Sequence, residues 1–337
     1  MLRSIDPQNV VDRLVELQRH VRDLIIRSHG TAGGHEVTRS TAADTIYAID
    51  ADVEPLIEDF CREWSKTTPL VLIAEGIENE HGGQEGVKVF PEGSREEDAH
   101  IRLIIDPIDG TRGIMYDKRP AWALAGVAPN EGPQTRLRDI EVAVMTELPT
   151  SKMGFADVLS AIKLRGAKGR RVDLNNGAEK PLEFSPSQAT TIDHGFATIA
   201  DFFPGTKVLA GEVMEELVRN LIGPADVTRA TVFEDQYIST GGQFYELIIG
   251  HDRFLADLRP IFYRIQKQPE GLCCHPYDCA TMLIAEEAGV ILTDALGQPL
   301  DGPLDVTSGI SWAGFANRAL CREIAPVLTR CLRARGA

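Results

Sequence analysis

The sequence has no long hydrophobic run, no regular pattern of cysteines and no excess of positive charge. No apolar stretch approaches the roughly 18 residues that a membrane-spanning helix requires, so we expect no membrane partner. The six cysteines are irregularly spaced in a chain of 337 residues, which favours reduced thiols over a disulfide framework. Residues 1–6 also lack the features of a targeting signal. These absences predict a cytoplasmic protein.

The charge balance argues against a further class of partner. Thirty-five lysines and arginines against fifty aspartates and glutamates give a net charge of −15. A surface field of this sign repels nucleic acids, so we expect no nucleic-acid partner. A small anionic substrate would need positive charge at its binding site, and divalent cations held by clustered carboxylates can provide that charge.

Apolar patterns predict a mixed α/β chain. Asp6 followed by Pro7 indicates the start of an amphipathic helix, because aspartate caps the first amide groups and proline suits the first helical position. A second amphipathic helix follows Asp50. Nearly unbroken apolar runs at residues 70–74 and 101–105 predict buried strands, and each run is followed directly by an acidic residue.

The second half of the chain alternates between helix and strand patterns. Residues 208–221 and 277–288 predict helices, whereas residues 168–171 and 175–177 predict hairpin turns. These turns mark the approach to a domain boundary, which we place near residue 190. The prediction is an N-terminal α+β domain at residues 1–190, with a mostly antiparallel sheet, followed by a C-terminal α/β domain at residues 191–337.

The most informative segment is Asp-Pro-Ile-Asp-Gly-Thr at residues 106–111. An apolar strand delivers Asp106 to its end, and Pro107 is expected to stop the strand pairing there. The dipeptide Asp109-Gly110 predicts a turn that lets the two carboxylates converge. Two hard oxygen ligands a few residues apart suit Mg²⁺. A strand followed by a capped Asp-Gly turn, without any ligand, is the alternative interpretation of the segment taken alone.

Segment 106–111 resembles the signature of the inositol monophosphatase family, a lithium-sensitive group of metal-dependent phosphomonoesterases with 3′-phosphoadenosine 5′-phosphate phosphatase and fructose-1,6-bisphosphatase-like branches. Two further blocks of the family match in the same order: Glu75 after the preceding strand, and Asp278 before a pattern that ends in Glu-Ala-Gly. The resemblance implies a layered α/β (α+β) fold, an αβαβα sandwich with metals between its domains. It also implies a homodimer.

The resemblance implies a set of metal ligands. Glu75 and Asp106, with the backbone carbonyl of Ile108, would hold a first ion. Asp106, Asp109 and Asp278 would hold a second ion, and Asp278 would also border the substrate. By the same resemblance, each site would take two or three Mg²⁺ ions.

The resemblance also implies catalytic and substrate-binding residues. Thr111 would help to polarise the attacking water, together with the acid at residue 75, and Asp50 would contribute to a weaker third metal site. The backbone at Gly110 and Thr111 would receive the phosphate. Ser239 and Thr240 begin an apolar helix where the family places a turn beside the substrate, and a plain helix start is the alternative interpretation.

These roles predict a phosphoric monoester hydrolase. Water activated by the metal ions would attack phosphorus in line, without a phosphoenzyme. This agrees with a sequence that has no recognisable nucleophile elbow and no Cys-His signature. The expected substrate is a small phosphomonoester, such as an inositol monophosphate, a sugar phosphate or a 3′-phosphonucleotide. By the resemblance, loops of the second domain determine which one, here residues 236–243 and 253–275.

The sequence departs from the family pattern at three places, one of which is Tyr277 where a tryptophan usually precedes the aspartate of the third block. Gly76 stands where a second acid commonly follows the first, and Glu78 is an alternative source of that acid. This departure motivates a second hypothesis, a catalytically weak or inactive member of the fold that binds metal or phosphate. After the motif, Arg112-Gly113 is closer to the branch that acts on 3′-phosphoadenosine nucleotides than to the inositol type.

Two other clusters give weaker signals. Cys273-Cys274-His275 has zinc-ligand residue types, but adjacent cysteines lack the spacing of a zinc clip, so a packing role beside Asp278 is favoured. The basic residues 168–171 could contact a second phosphate, and an exposed basic turn is the favoured alternative.

Overall fold

The computed structural model describes residues 5–28, 37–40, 45–47, 53–77, 85–224, 226 and 228–337. Within these ranges the α-helices are α1 (Pro7–Ser28), α2 (Glu54–Ser65), α3 (Thr111–Met115), α4 (Lys207–Leu221), α5 (Thr240–Ile249), α6 (Arg259–Ile265), α7 (Met282–Glu287) and α8 (Arg318–Arg333). The strands are β1 (Val37–Ser40), β2 (Thr45–Tyr47), β3 (Leu70–Ala74), β4 (Val87–Phe90), β5 (Ile101–Asp109), β6 (Ala121–Pro129), β7 (Val142–Leu148), β8 (Phe155–Ile162), β9 (Ala167–Asp173), β10 (Glu179–Leu182), β11 (Gly195–Ile199), β12 (Val232–Phe233), β13 (Asp252–Asp257), β14 (Ile291–Asp294) and β15 (Trp312–Phe315).

The larger sheet contains eight strands in the order β10-β9-β8-β7-β6-β5-β3-β4, and only its β3–β5 pair is parallel. Side chains alternate between its two faces. Leu70 and Leu72 join the hydrophobic cluster under α1 and α2, whereas Val71 and Ile73 join the cluster on the opposite face. Burial on both faces explains why β3 and residues 103–105 of β5 are apolar throughout.

The second sheet has the order β12-β11-β13-β15-β14. Helices α5 and α7 contact strands of both sheets, while α4 and α8 contact the second sheet and each other. The layers are therefore α1 and α2, the first sheet, α5 and α7, the second sheet, then α4 and α8. This arrangement confirms the predicted αβαβα fold class.

The passage from one sheet to the other lies between Leu182 and Gly195. One hydrophobic cluster includes Trp122 of the first sheet and Phe254 of the second, so the sheets share buried contacts through the central helices. The division into domains at residues 1–190 and 191–337 stays a prediction.

Three local predictions differ from the structure. The helix predicted at 277–288 is confined to α7, because Cys279 and Ala280 donate to carbonyls three residues earlier and make tight turns instead. The basic residues 168–171 lie within β9 rather than in a turn, and Arg171 donates to both carboxylate oxygens of Asp157 at 2.7 Å. Pro107 does not end the strand pairing, since β5 continues to Asp109.

The first helix and one predicted turn are confirmed. Helix α1 begins at Pro7, and the Gln8 amide donates to the Asp6 carboxylate at 3.2 Å. The turn at residues 175–177 connects β9 and β10, where Gly177 has a φ of +73°. A positive φ is easily adopted by glycine, which explains its place in this hairpin.

Candidate metal centre

A β-bulge brings Asp106 and Asp109 to the same side of β5. Asp106 is opposite Leu124 and Asp109 is opposite Trp122, so β5 contains one residue more than β6 over this stretch. In a regular strand, two residues three positions apart would point to opposite faces. The extra residue cancels that alternation. The Ile108 amide donates to the Asp106 carboxylate at 3.0 Å and fixes the bulged backbone.

Gly110 makes the turn that follows the bulge. Its φ is +99°, and a Cβ atom there would lie 3.1 Å from the Cβ of Ser239 and 3.2 Å from the carbonyl oxygen of Ile238. Only glycine fits this close approach without strain. The next residue, Thr111, begins α3, and its hydroxyl donates to the Ile108 carbonyl at 2.8 Å. Two groups predicted to serve the site are therefore in direct contact.

Asp278 completes a cluster of three aspartates. It lies in the turns before α7, and the His275 amide donates to its Oδ2 atom at 2.6 Å. One carboxylate oxygen from each of Asp106, Asp109 and Asp278 lies within 4.8 Å of the other two. This is the only group of potential metal ligands of its kind among the described residues.

The start of α5 holds the Asp109 carboxylate. The Ser239 hydroxyl donates to Oδ2 at 2.9 Å, the Gly241 amide to Oδ2 at 2.6 Å and the Thr240 amide to Oδ1 at 3.2 Å. Ser239 also caps α5 by accepting from the Gly242 amide, which confirms the predicted helix start. Ser239 and Thr240 line the same cleft as the aspartates, and their contact with substrate stays a prediction.

Glu75 lies beside Asp106 because their strands pair in parallel. Ala74 is opposite Ile105 in the β3–β5 ladder, so the two acids follow at the same edge of the sheet. Glu75 also lines the cleft. Asp50 and Glu78, which were predicted as a third-site ligand and an alternative acid, lie outside the described residues.

Burial and mutual repulsion oppose ionisation of the three aspartates. Burial, followed by the charge of Asp109, raises the pKa of Asp106 and of Asp278 well above the ordinary value. Burial raises the pKa of Asp109 to about 6, against the hydrogen bonds from Gly241, Ser239 and Thr240. A bound divalent cation would offset this repulsion, because its positive charge favours the ionised form of each carboxylate and so lowers the pKa values. The donor set, all carboxylate and carbonyl oxygen, suits a hard cation such as Mg²⁺.

The three aspartates line one cleft of the protein. Sequence patterns missed Phe202 and Phe203 in its wall, and they did not single out Arg259 or Leu272 individually. Arg259 is 6% exposed and lies at the start of α6, far from the motif in sequence. Tertiary packing alone brings it to the cleft, although residues 253–275 stood out as candidates for substrate-side loops.

The cysteines near Asp278 form a packed group. The Cys274 and Cys279 sulfur atoms are 3.5 Å apart, and the Thr240 hydroxyl is 3.7 Å from the Cys274 sulfur. Both thiols are buried, and burial raises their pKa. A protonated thiol is a poor metal ligand, so the geometry fits the packing role that the sequence favoured over zinc.

Neither a family model nor a curated protein sequence matches the chain. Many solved structures are similar over nearly its whole length, and three of them serve as examples. The IMPase of Thermotoga maritima is 16% identical, with a TM-score of 0.62 over 97% of this chain and 100% of that one. The extragenic suppressor protein SuhB of Bartonella henselae is 16% identical, with a TM-score of 0.62 over 96% and 99%. The fructose-1,6-bisphosphatase of Leishmania major, in holo form, is 15% identical, with a TM-score of 0.65 over 96% and 93%.

These similarities establish the fold. The chain has the architecture shared by inositol monophosphatase and fructose-1,6-bisphosphatase structures, at identities that carry no further assignment. In the part of the chain that the structure describes, no helix is both long and apolar enough to cross a membrane.

Proposed function

We propose that this chain is a Mg²⁺-dependent phosphatase that hydrolyses a small phosphomonoester. The observation that carries the proposal is the convergence of Asp106, Asp109 and Asp278 within 4.8 Å at the wall of a cleft. Buried carboxylates gathered this closely are unfavourable without a cation. Similar structures named as phosphatases support the choice of reaction.

Two sets of ligands would hold the metal ions. Glu75, Asp106 and the Ile108 carbonyl would hold one ion, and Asp106, Asp109 and Asp278 a second, with Asp50 as a ligand of a third. When bound, Mg²⁺ ions supply the Lewis acidity that activates water for direct attack on phosphorus and stabilises the leaving oxygen. No covalent phosphoenzyme is part of this proposal.

The protein's own groups would orient this chemistry. Three donors at the start of α5 fix the Asp109 carboxylate, and the Thr111 hydroxyl contacts the Ile108 carbonyl at 2.8 Å. Thr111 would share its hydroxyl with the attacking water, beside Glu75. The backbone of Gly110 and Thr111 would receive the phosphate, since no side chain at residue 110 blocks its approach.

A second candidate is a catalytically weak member of the fold that binds metal or phosphate. The observation that favours it is the φ of +83° at Gly76, the residue after Glu75. A side chain is strained in this conformation, so an acid at residue 76 would not be accommodated easily. The cleft would then have one carboxylate fewer for activating water.

Turnover of a generic aryl phosphate with and without Mg²⁺ separates the two candidates. We expect Mg²⁺-dependent hydrolysis that is abolished by Asp109→Asn and by Asp278→Asn, with circular dichroism unchanged. Asp226→Asn, in an exposed loop outside the cleft, is the matched control. Full turnover in either cleft variant would refute the proposal, and inactivity of the wild type with metal bound would favour the second candidate.

The substrate, the oligomeric state and the cellular location need their own measurements. We propose screening inositol monophosphate, fructose 1,6-bisphosphate, 3′-phosphoadenosine 5′-phosphate and histidinol phosphate for the substrate. A homodimer, proposed from the family resemblance, is tested by light scattering after size-exclusion chromatography. A cytoplasmic location is tested by fractionation.

A further inference from the structure

Two neighbouring glycines in the first turn of α5 allow this helix to approach its surroundings closely. A Cβ atom at Gly241 would lie 3.1 Å from the Asp109 carboxylate. A Cβ atom at Gly242 would lie 2.4 Å from two carbon atoms of the Tyr237 ring. The start of α5 therefore lies directly against Asp109 and also against Tyr237. Tyr237 does not line the cleft and has no place in the chemistry proposed above.

The hydroxyl group of Tyr237 anchors its ring to the first sheet. The hydroxyl donates to the Pro120 carbonyl at 2.9 Å and accepts from the Nε1 atom of Trp122 at 3.0 Å. Trp122 is completely buried and Tyr237 is 5% exposed. Because a buried N–H group without an acceptor is unfavourable, the indole of Trp122 holds the phenol group in place.

A second contact to the Tyr237 ring is more exposed. The Cζ atom of Arg119 lies 4.9 Å from the ring centroid, and the Arg119 guanidinium pairs with Asp235. Both charged side chains are more than a third exposed to solvent, and ion pairs of this kind contribute little to stability. The buried hydrogen bonds of the hydroxyl are therefore the main anchor of the ring.

These contacts connect the strand that carries Asp109 with the helix that holds its carboxylate. Trp122 is opposite Asp109 in the β5–β6 ladder, and it donates to the Tyr237 hydroxyl. Two residues after Tyr237, Ser239 donates to the Asp109 carboxylate at 2.9 Å. One phenol group thus links β6 to the start of α5.

We propose that Tyr237 is a positioning residue for the metal centre. Its hydroxyl sets the place of the first turn of α5 relative to β5 and so keeps the donors of α5 in contact with Asp109. This inference rests on the proposed function, because Asp109 is a proposed Mg²⁺ ligand. Without the hydroxyl, the Trp122 N–H group loses its acceptor, and the ring and the first turn of α5 shift together.

Two tyrosine variants on the same segment test this role by calorimetric titration with Mg²⁺. Tyr237→Phe removes the hydroxyl alone and should weaken Mg²⁺ binding by about fivefold, since outer contacts orient metal ligands. Tyr245→Phe is the matched control, because the Tyr245 hydroxyl on α5 donates to Asp157 at 2.6 Å, outside the cleft. We expect both variants to lose stability but only Tyr237→Phe to lose affinity. Equal affinity in Tyr237→Phe and the wild type would overturn the inference.

Turnover of an aryl phosphate gives a second measurement. In Tyr237→Phe the Mg²⁺ concentration for half-maximal turnover should rise by about fivefold. The KM for the aryl phosphate, measured at saturating Mg²⁺, should stay the same. A purely structural role would lower the amount of active enzyme and change neither constant. An unchanged Mg²⁺ requirement would therefore overturn the inference.

Amide hydrogen exchange in metal-free protein separates this inference from the proposed function. The Thr240 and Gly241 amides donate to Asp109, and their exchange, followed by NMR with EDTA present, reports on that contact. We expect it to be about threefold faster in Tyr237→Phe than in Tyr245→Phe. If the wild type neither binds Mg²⁺ nor hydrolyses the aryl phosphate, the phosphatase proposal fails, and faster exchange would still support the positioning role. Equal exchange in the two variants would overturn it in either case.

Discussion

Glu147 on β7 is 8% exposed, and it accepts a hydrogen bond from the Asp157 amide at 3.0 Å. Burial raises the pKa of its carboxyl group from 4.5 to about 8. The folded protein therefore binds this proton more tightly than the unfolded chain does. The resulting contribution to stability is complete below a pH of about 4.5 and is lost as the pH rises through about 8.

Each pKa unit corresponds to about 1.4 kcal/mol of unfolding free energy. Glutamine is neutral at every pH and can still accept the hydrogen bond from the Asp157 amide. Glu147→Gln therefore avoids the loss of stability that ionisation of Glu147 causes at high pH. Its stability relative to the wild type should increase by about 3 kcal/mol between pH 5.5 and pH 9. Urea unfolding followed by circular dichroism, with EDTA present to remove metal effects, measures this difference.

A control variant distinguishes burial from loss of negative charge. Glu97→Gln also removes a carboxylate, but the Glu97 side chain is 68% exposed. We expect its relative stability to be nearly the same at both pH values. If Glu147→Gln gained no more than Glu97→Gln between pH 5.5 and pH 9, the reasoning from burial would be refuted.

Three further predictions concern the metal centre. Gly110→Ala should lower the unfolding free energy by about 2 kcal/mol or more, measured in urea, because φ is +99° and the new methyl group would meet the segment before α5; unchanged stability would contradict this. Ser239→Ala removes a donor to Asp109 and should weaken Mg²⁺ binding by about tenfold in calorimetry; equal affinity would show that the donor is dispensable. Mg²⁺ binding should weaken as the pH falls below about 6, where protons compete for Asp109; a constant affinity from pH 7 to pH 5 would disprove that competition.

Local patterns in the sequence predict the elements that carry two of the acids. Apolar runs ending at Glu75 and Asp106 predicted β3 and the first part of β5, because strands buried on both faces have few polar residues. The capped start of α5 at Ser239 was also predictable from residue type. The order of the five layers, in contrast, was predicted from the family resemblance. The periodicity of apolar residues predicts a helix or a strand, but it does not determine which face of which sheet a helix packs against.

Long-range packing and backbone detail could not be predicted in this way. The bulge that aligns Asp106 with Asp109 depends on the register with β6, which no single strand specifies. The interpretation of Pro107 as a strand end was wrong for this reason, because the bulge accommodates a residue that cannot donate to the ladder. Arg259 was not singled out within residues 253–275, because its approach to the cleft depends on its contacts with Asp257 and Phe202, which are set by tertiary packing.

The cluster of three aspartates depends on how the two sheets are packed together. Asp106 and Asp109 belong to a strand of the first sheet, whereas Asp278 lies in the turns before α7, a helix that contacts both sheets. Donors at the start of α5, between the sheets, hold Asp109 in place. A cation bound by all three aspartates would therefore add to the hydrogen bonds and side-chain packing that join these layers. Any change that shifts α5 against β5 should disturb metal binding even when it touches no ligand.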